Sequence, residues 1–332
     1  MTSRLIPRRL RRSLFATVRA ILAELPDEVS GPGSGAWSVH EARPTDTGIA
    51  VVKAGRVAGE TEIVVKVATA ARVGAQLRRH WGAARALRAD PRLAAWGQFV
   101  PEVLATGETD GMCYVVERAF SGVPATTWLG DEARRGEVLK DGLSTIAGLH
   151  RLTSDTTVVD DDTLERWLTI PLNGLRRLGR PWRGLERIGG ELREFLSGRS
   201  VEVSWIHGDY WPGNVLVDEA SLSLRGVVDW ECAADGELPA HDVFHFVLFT
   251  RSMLDRTDLG LLVRDLLRGR ASTGPEREQL EQAVPHGDPE WFRTVLLLYW
   301  LRHLAAHLSQ PATGTNRWVW ARRNVTPVLR VA

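Results

Sequence analysis

The sequence predicts an α+β protein, with a small antiparallel sheet before about residue 120 and a larger, mainly helical part after it. Two observations support this prediction. In the first part, short β-branched runs alternate with clusters of turn-forming residues, which is typical of strands joined by turns. From Asp131 onward, the sequence becomes helical in character. With 332 residues, the chain can bury a sizeable core as one large domain or as two lobes.

The composition is ordinary for a soluble globular protein, with 44% hydrophobic and 25% charged residues. A net charge of +1 gives no case for a nucleic-acid partner, because such partners require concentrated positive charge. Two cysteines, Cys113 and Cys232, are too few for a disulfide framework or a four-ligand zinc site, which favours a reducing cytoplasm. No apolar run reaches the roughly 18 residues that suggest a membrane span.

An amphipathic helix is predicted near the N-terminus. Four arginines between residues 8 and 12 precede the apolar stretch 13–22, an arrangement similar to a signal peptide. Arg19 interrupts that stretch and no clear cleavage site follows, which favours the helix. A role for this helix at a membrane surface or with a partner stays an alternative. The Gly-rich segment 30–35 lacks the Walker spacing and is interpreted as a connector.

Three strands are predicted next, at 37–42, 49–54 and 62–68, and they form an antiparallel meander. The third contains Lys66, one of only three lysines in the chain. A lysine inside an apolar strand is costly unless its ammonium group has a partner, and a phosphate would be such a partner. Two alternatives remain: Lys66 lies on the solvent face of the strand, or Lys53 takes this role.

A helix is predicted at 70–89, which is rich in Ala, Leu and Arg. Residues 100–107 and 112–118 then predict two strands joined by a Glu-Thr-Asp-Gly turn. Near the C-terminus, 255–269 and 290–308 carry helical apolar spacing.

The polar residues with the clearest chemistry lie around a predicted hairpin formed by the β-branched runs 214–217 and 226–228. This pairing is expected to bring Asp209, Asn214 and Asp229 close together. Asp and Asn provide the hard oxygen ligands that Mg²⁺ prefers. Phosphoryl transfer needs mainly such ligands and a group that positions the attacking hydroxyl.

His-Gly-Asp at 207–209 followed by Asn214, and then Asp-Trp at 229–230, resembles the HGDxxxxN and (I/V)DW signatures of aminoglycoside phosphotransferases and choline kinase-like enzymes. The match holds in order and in spacing. The resemblance implies a bilobal protein-kinase-like fold, with a nucleotide-binding N-lobe at 1–120 and a catalytic, substrate-binding C-lobe at 121–332. It also implies transfer of the γ-phosphoryl group of ATP or GTP to a hydroxyl of an aminoglycoside, sugar or amino-alcohol type of acceptor.

Position by position, the resemblance implies roles for five residues. Asp209 would orient the substrate hydroxyl or accept its proton. Asn214 would hold one Mg²⁺, and Asp229 would hold the metal ion that bridges the phosphates. His207 would tie the catalytic loop to neighbouring backbone. Asp242, at the place of the family's Pro-x-x-Asp, would brace that loop through hydrogen bonds.

The nucleotide contacts are implied in the same way. Lys66 would bind the α- and β-phosphates, and the turn that contains Thr47 would cover them. Backbone groups of Glu117 and Ala119 would face the purine edge. One expected residue is missing: the family pairs the strand lysine with a glutamate on the following helix, but this sequence has no acid between residues 62 and 90.

His80 or Gln76 lies near the expected place of that glutamate. The lysine is therefore positioned differently, or its partner comes from elsewhere. The missing glutamate also suggests a second function, a non-catalytic kinase-like nucleotide-binding module. The intact residues at 209, 214 and 229 oppose this alternative, because their mutual repulsion without metal would be a standing cost.

A third hypothesis comes from His241-Asp242-x-x-His245, which has the histidine spacing of HExxH zinc hydrolases. Asp in place of Glu shortens the reach of the general base, and no third ligand motif follows.

The sequence leaves the identity of the acceptor open. The acidic run 155–165 is typical of a solvated face but would also suit a polycation. Most tryptophans in proteins are buried in the core. Up to two of the four near the C-terminus could instead stack on a sugar or an ammonium group: Trp291, Trp300, Trp318 and Trp320.

Overall fold

The computed structural model describes residues 8–25, 29, 35–45, 48–57, 60–177, 182, 184–270, 275–285, 288–309 and 317–332. The chain divides into two compact units. The first comprises Met1–Ala125 and Gly213–Ala233, and the second comprises Thr126–Pro212 and Ala234–Ala332. The division of function between 1–120 and 121–332 stays a prediction.

The strands are β1 (Ser38–Pro44), β2 (Ile49–Gly55), β3 (Ile63–Ala68), β4 (Val103–Thr109), β5 (Met112–Arg118), β6 (Val123–Pro124), β7 (Asp155–Val158), β8 (Ser200–Ile206), β9 (Val215–Val217), β10 (Leu224–Val227) and β11 (Ala234–Glu237). The helices are α1 (Arg8–Ala23), α2 (Ala71–Ala89), α3 (Glu132–Leu152), α4 (Asp161–Leu164), α5 (Ile170–Arg176), α6 (Leu185–Leu196), α7 (Ala240–Asp255), α8 (Leu259–Leu267), α9 (Pro275–Gln282), α10 (Pro289–Ser309) and α11 (Arg317–Leu329). Short 3₁₀ turns occur at Pro91–Leu93, Trp96–Phe99, Ala125–Trp128 and Trp230–Cys232, and a π-helical segment at Glu165–Thr169. The predicted α+β class is confirmed.

The first unit is built on an antiparallel sheet of five strands in the order β1-β2-β3-β5-β4, counted over the described residues. Its two faces are covered by different helices. Leu14, Val18 and Ile21 of α1 pack with alternate residues of β2 and β3, while Val73 and Leu77 of α2 pack on the opposite face. The predicted amphipathic helix therefore buries its apolar side against this sheet.

Strand alternation decides which face Lys66 occupies. Val65 and Val67 pack on the α1 side, so Lys66 points to the α2 side, because successive side chains of a strand point to opposite faces. Its side chain is only 7% exposed, which excludes the alternative of a solvent-facing lysine. Lys53, by contrast, pairs with Glu41 at the surface.

The predicted hairpin is present. β9 and β10 pair antiparallel, with Val217 opposite Leu224 and Val215 opposite Val227, and β6 pairs on the other side of β9. This small sheet belongs to the first unit. Its pairing places the residue before β9 and the loop after β10 at the same end.

The second unit contains a three-stranded sheet in the order β11-β8-β7 within its described residues, together with the helices from α3 onward. α10 is the central helix of its core, and the side chain of Trp300 is fully buried. A helix that is apolar on all sides is expected to be enclosed by other elements. None of the helices in the part that the structure describes combines the length and apolar character needed to span a bilayer.

Candidate active site

Asn214 and Asp229 lie at one end of the β9–β10 hairpin. The backbone N–H of Val228 donates to the carbonyl oxygen of Asn214 over 2.9 Å, which extends the pairing to this end. Asp229 has φ of +68°, in the left-handed region that few non-glycine residues adopt. Such strained backbone often occurs at functional positions. Asn214 is buried, whereas the side chain of Asp229 is 46% exposed.

These two residues have the donor set that Mg²⁺ prefers. One carboxylate and one amide oxygen at a common hairpin end fit a site that Mg²⁺ would share with substrate phosphates and water, its usual coordination in nucleotide enzymes. Within the described residues, no group of three or more His, Cys, Asp or Glu side chains could hold a metal ion by itself.

The Lys66 ammonium group is held between two carboxylates of the first unit. Its Nζ lies 2.8 Å from Oδ1 of Asp229 and 3.2 Å from Oε2 of Glu117. Burial disfavours the charged ammonium, but the negative charges of Asp229 and Glu117 outweigh this effect and raise the pKa of Lys66. Lys66 therefore stays charged beside Asp229.

The partner that replaces the missing helix glutamate comes from β5. Glu117 is buried and contacts both Lys66 and Nε2 of His80, which projects from α2. Burial would raise the pKa of Glu117, but His80 and Lys66 together lower it to about 2. His80 lies where the family's helix glutamate was expected, because its Nε2 is 3.2 Å from Nζ of Lys66.

A backbone contact orients the His80 ring. The N–H of Trp230 donates to Nδ1 of His80 over 2.9 Å, so the ring proton resides on Nε2, facing Glu117. Gln76, the other residue considered for this place, instead donates to Glu231 over 3.1 Å. Burial and the charge of Asp229 raise the pKa of Glu231 to about 7.

Asp242 holds the backbone of the loop at 207–209 in the second unit. It lies in the first turn of α7, and its carboxylate accepts the N–H groups of His207 at 2.7 Å and Gly208 at 2.8 Å. His150 of α3 contacts the same carboxylate at 3.1 Å. Burial would raise the pKa of Asp242, but these donors lower it. Gly208 has φ of +77°, a conformation that favours glycine.

Asp209 follows directly. Its backbone N–H donates to Nδ1 of His207, whose ring is fully buried. Its carboxylate, 43% exposed, lies 3.1 Å from Nε2 of His245 on α7. The sequence motif around His245 suggests only the role of a zinc ligand for this residue. In the structure, Nε2 contacts Asp209 and Nδ1 contacts Tyr299, so both ring nitrogens are already engaged and the ring does not present a ligand to zinc.

The remaining predicted nucleotide contacts have different outcomes. Thr47 lies outside the described residues. The backbone N–H of Ala119 donates to the carbonyl of Glu62 over 2.9 Å, and Glu117 pairs with strands on both sides. Their contact with a purine stays a prediction, whereas the side-chain contact of Glu117 with Lys66 was not foreseen. Since Asp209 belongs to the second unit and Asn214 and Asp229 to the first, the convergence of all three also stays a prediction.

Both the sequence and the fold of this chain resemble those of known proteins. Residues 51–282 match the sequence model of a protein family that is described as the phosphotransferase enzyme family. A protein of Ralstonia eutropha, named as a candidate aminoglycoside phosphotransferase, superposes with a TM-score of 0.59 at 16% identity, covering 95% of this chain and 96% of its own. No curated protein gives a significant match.

Two further structures are similar at lower scores. An aminoglycoside phosphotransferase of Streptomyces rimosus, solved with ADP and streptomycin, has a TM-score of 0.48 at 14% identity and covers 86% of this chain and 98% of its own. A macrolide 2'-phosphotransferase has a TM-score of 0.48 at 16% identity and covers 100% and 99%. The likeness to the Ralstonia protein shows the fold.

Proposed function

Since the chain belongs to the phosphotransferase enzyme family, whose members phosphorylate hydroxyl groups, we propose that it transfers the γ-phosphoryl group of ATP or GTP to a hydroxyl of a small molecule. The observation that carries this proposal is the buried ammonium of Lys66, held beside Asp229 at the hairpin end that also carries Asn214. A buried cation next to magnesium-type ligands suits a triphosphate.

On the nucleotide side, Lys66 would bind the α- and β-phosphates. Asn214 and Asp229 would hold Mg²⁺, which would neutralise the charge that develops on the phosphates. The turn with Thr47 would cover the phosphates, and backbone groups of Glu117 and Ala119 would flank the purine. Such triphosphates are cytoplasmic metabolites, and the free thiols of Cys113 and Cys232 agree with that compartment.

On the acceptor side, Asp209 would orient the attacking hydroxyl and accept its proton. His207 and Asp242 support this role because they hold the backbone on either side of Gly208. Positioning and electrostatic stabilisation would supply most of the rate enhancement, as expected for phosphoryl transfer.

The acceptor would be an aminoglycoside, sugar or amino alcohol. Trp300 and Trp291 are buried in the core of the second unit, so they are not available to stack on a ligand. Trp318 and Trp320 are partly exposed, as is Trp211, two residues after Asp209. A panel of aminoglycosides, macrolides, sugars, amino alcohols and nucleosides, screened for nucleotide consumption, would identify the class.

Two substitutions test the function. Asp209→Asn is expected to lower turnover by orders of magnitude while nucleotide affinity is retained, because only the proton acceptor is lost. Asp229→Ala is expected to abolish Mg²⁺-dependent nucleotide binding, measured by calorimetry. Asp110→Asn, in an exposed turn with φ of +50° that Asn also adopts, is the matched control. Equal activity in all of these proteins would refute the function.

A further inference from the structure

His245 connects the proposed catalytic aspartate to a buried tyrosine. Its Nε2 lies 3.1 Å from Oδ1 of Asp209, and its Nδ1 lies 3.1 Å from the hydroxyl of Tyr299 on α10. His245 and Tyr299 are 4% and 2% exposed. All three residues belong to the second unit.

We propose that His245 is a positioning residue, which donates a hydrogen bond to Asp209 and so holds the carboxylate towards the acceptor hydroxyl, and that Tyr299 selects the tautomer that can donate. This inference rests on the proposed role of Asp209. It gives α7 two functions. Asp242 holds the backbone of the loop, and His245, three residues further on the same helix face, holds its reactive side chain.

The direction of the two hydrogen bonds follows from the chemistry of the groups. Burial and the charge of Asp209 raise the pKa of Tyr299, so its hydroxyl keeps its proton. When that proton is donated to Nδ1, a neutral imidazole carries its own proton on Nε2. Nε2 faces Oδ1 of Asp209, a carboxylate oxygen that accepts the Nε2–H hydrogen bond. Tyr299 O–H therefore donates to Nδ1 of His245, and Nε2–H of His245 donates to Oδ1 of Asp209. Each hydrogen bond then has one donor and one acceptor.

The other groups packed around His245 are mainly aromatic. The rings of Phe249 on α7 and His303 on α10 have centroids 5.1 Å and 5.4 Å from that of His245. Burial, His245 and His307 lower the pKa of His303, and burial and Arg302 lower that of His241, one turn earlier on α7, to about 3. These neighbours stay neutral near pH 7. Their packing leaves the imidazole of His245 little room to rotate away from Asp209.

A histidine that served only the core would have no need of a partly exposed carboxylate. Here the polar chain runs from a buried tyrosine to the side chain that is 43% exposed at the loop. Because His245 on α7 hydrogen-bonds one oxygen of the Asp209 carboxylate, that carboxylate keeps a fixed orientation. This lowers the entropy that must be lost when the hydroxyl is brought into line.

Kinetics with His245→Leu and His245→Gln test the inference, using the acceptor found by the panel or, failing that, water in Mg-ATP hydrolysis. His245→Leu is expected to lower kcat about 10- to 100-fold, the loss typical of removing a group that orients a functional side chain, with KM for ATP unchanged. His245→Gln should recover much of kcat, because its amide N–H replaces Nε2–H. His241→Leu, at a buried position one turn earlier on the same helix, is the control. Equal losses in the Leu and Gln variants, or none, would refute the inference.

A second measurement does not depend on activity. Long-range ¹H–¹⁵N NMR of the histidine rings, with the His245 signal assigned by its absence from His245→Gln, should show the proton on Nε2. In Tyr299→Phe, the tautomer ratio should shift towards Nδ1–H. A wild-type ring protonated on Nδ1 alone would overturn the inference even if Asp209→Asn confirms the proposed function. If Asp209→Asn leaves turnover unchanged, the proposed function fails first.

Discussion

Lys66 and Glu117 form a buried ion pair diagonally across β3 and β5, with 3.2 Å between Nζ and Oε2. Lys66 is opposite Val115 and Glu117 is opposite Val64, so the two side chains are diagonal neighbours on the face covered by α2. A strand residue therefore supplies the carboxylate that the sequence lacks on the helix. His80, on that helix, contacts the same carboxylate.

The first prediction concerns Glu117. Glu117→Gln should destabilise the protein by about 3 kcal/mol at neutral pH, since a pKa of about 2 against the ordinary 4.5 corresponds to that energy. A lowered pKa means that this contribution is present above pH 4.5 and is lost as pH falls towards 2. Nucleotide affinity should fall about tenfold, because the ammonium loses one anchor. Urea unfolding and calorimetry with ATP measure both effects.

The control and the rescue use neighbouring residues. Glu102→Gln removes the same charge from an exposed pair with Arg118 and should cost less than about 1 kcal/mol. Adding His80→Glu to Glu117→Gln returns a carboxylate to the helix and should restore nucleotide affinity. If Glu117→Gln behaves like Glu102→Gln, Lys66 does not depend on Glu117.

The second prediction concerns Asp242. Asp242→Asn replaces one accepting oxygen by an NH₂ group facing a backbone N–H, so it should destabilise the protein by about 2 to 4 kcal/mol and lower kcat. The same change at Asp160, which caps α4 at the surface, should be nearly neutral, because Asn caps helices equally well. Thermal unfolding and steady-state kinetics of the two variants give the comparison. Identical behaviour would mean that Asp242 does not brace the loop.

The third prediction is a pH dependence. In the part of the chain that the structure describes, buried Nδ1 of His241 has no hydrogen-bond partner, and its pKa is lowered to about 3 from 6.5. The unfolded chain therefore binds a proton that the folded one does not, so stability is full above pH 6.5 and falls as pH drops towards 3. The loss by pH 3 is on the order of 4 kcal/mol.

His241→Leu should remove this dependence, which urea unfolding at several pH values between 4 and 7 would detect. The same substitution at the exposed His40 is the control and should leave the slope unchanged. A slope in His241→Leu equal to that of the parent protein would contradict the prediction.

The fourth prediction concerns Gly226 in β10. A Cβ there would lie 2.4 Å from the ring of Phe120, so Gly226→Ala should destabilise the protein by about 1 to 3 kcal/mol through overpacking. At Gly82, in the interior of α2, an added methyl group would meet no other described residue within 4 Å, and Gly82→Ala should stabilise by up to about 1 kcal/mol. Chemical denaturation measures both signs. A stabilised Gly226→Ala protein would show that the ring moves aside freely.

Local patterns predicted some of the elements around the site, with bounds within two residues of those that the structure shows. Turn-separated β-branched runs predicted β2 at 49–54 and the β9–β10 hairpin, because strand and turn propensities act over a few residues. Asp209, Asn214 and Asp229 lie within one short stretch of the chain, so their spacing also allowed the family to be recognised from the sequence. The partner of Lys66 was not predictable, since it depends on strand register and on which helix face covers the sheet.

The sequence by itself determined the class of the fold and the family. It also determined the order and spacing of the residues proposed to act in the reaction, because each of these features is encoded in short stretches of chain. Only the tertiary structure decided that Glu117 and His80 together accompany Lys66, and that His245 lies against Asp209 rather than offering a zinc ligand. The contacts of Glu117 with His80 and of His245 with Asp209 join residues 37 and 36 positions apart along the chain. Their formation depends on the packing of whole elements, which no local pattern records.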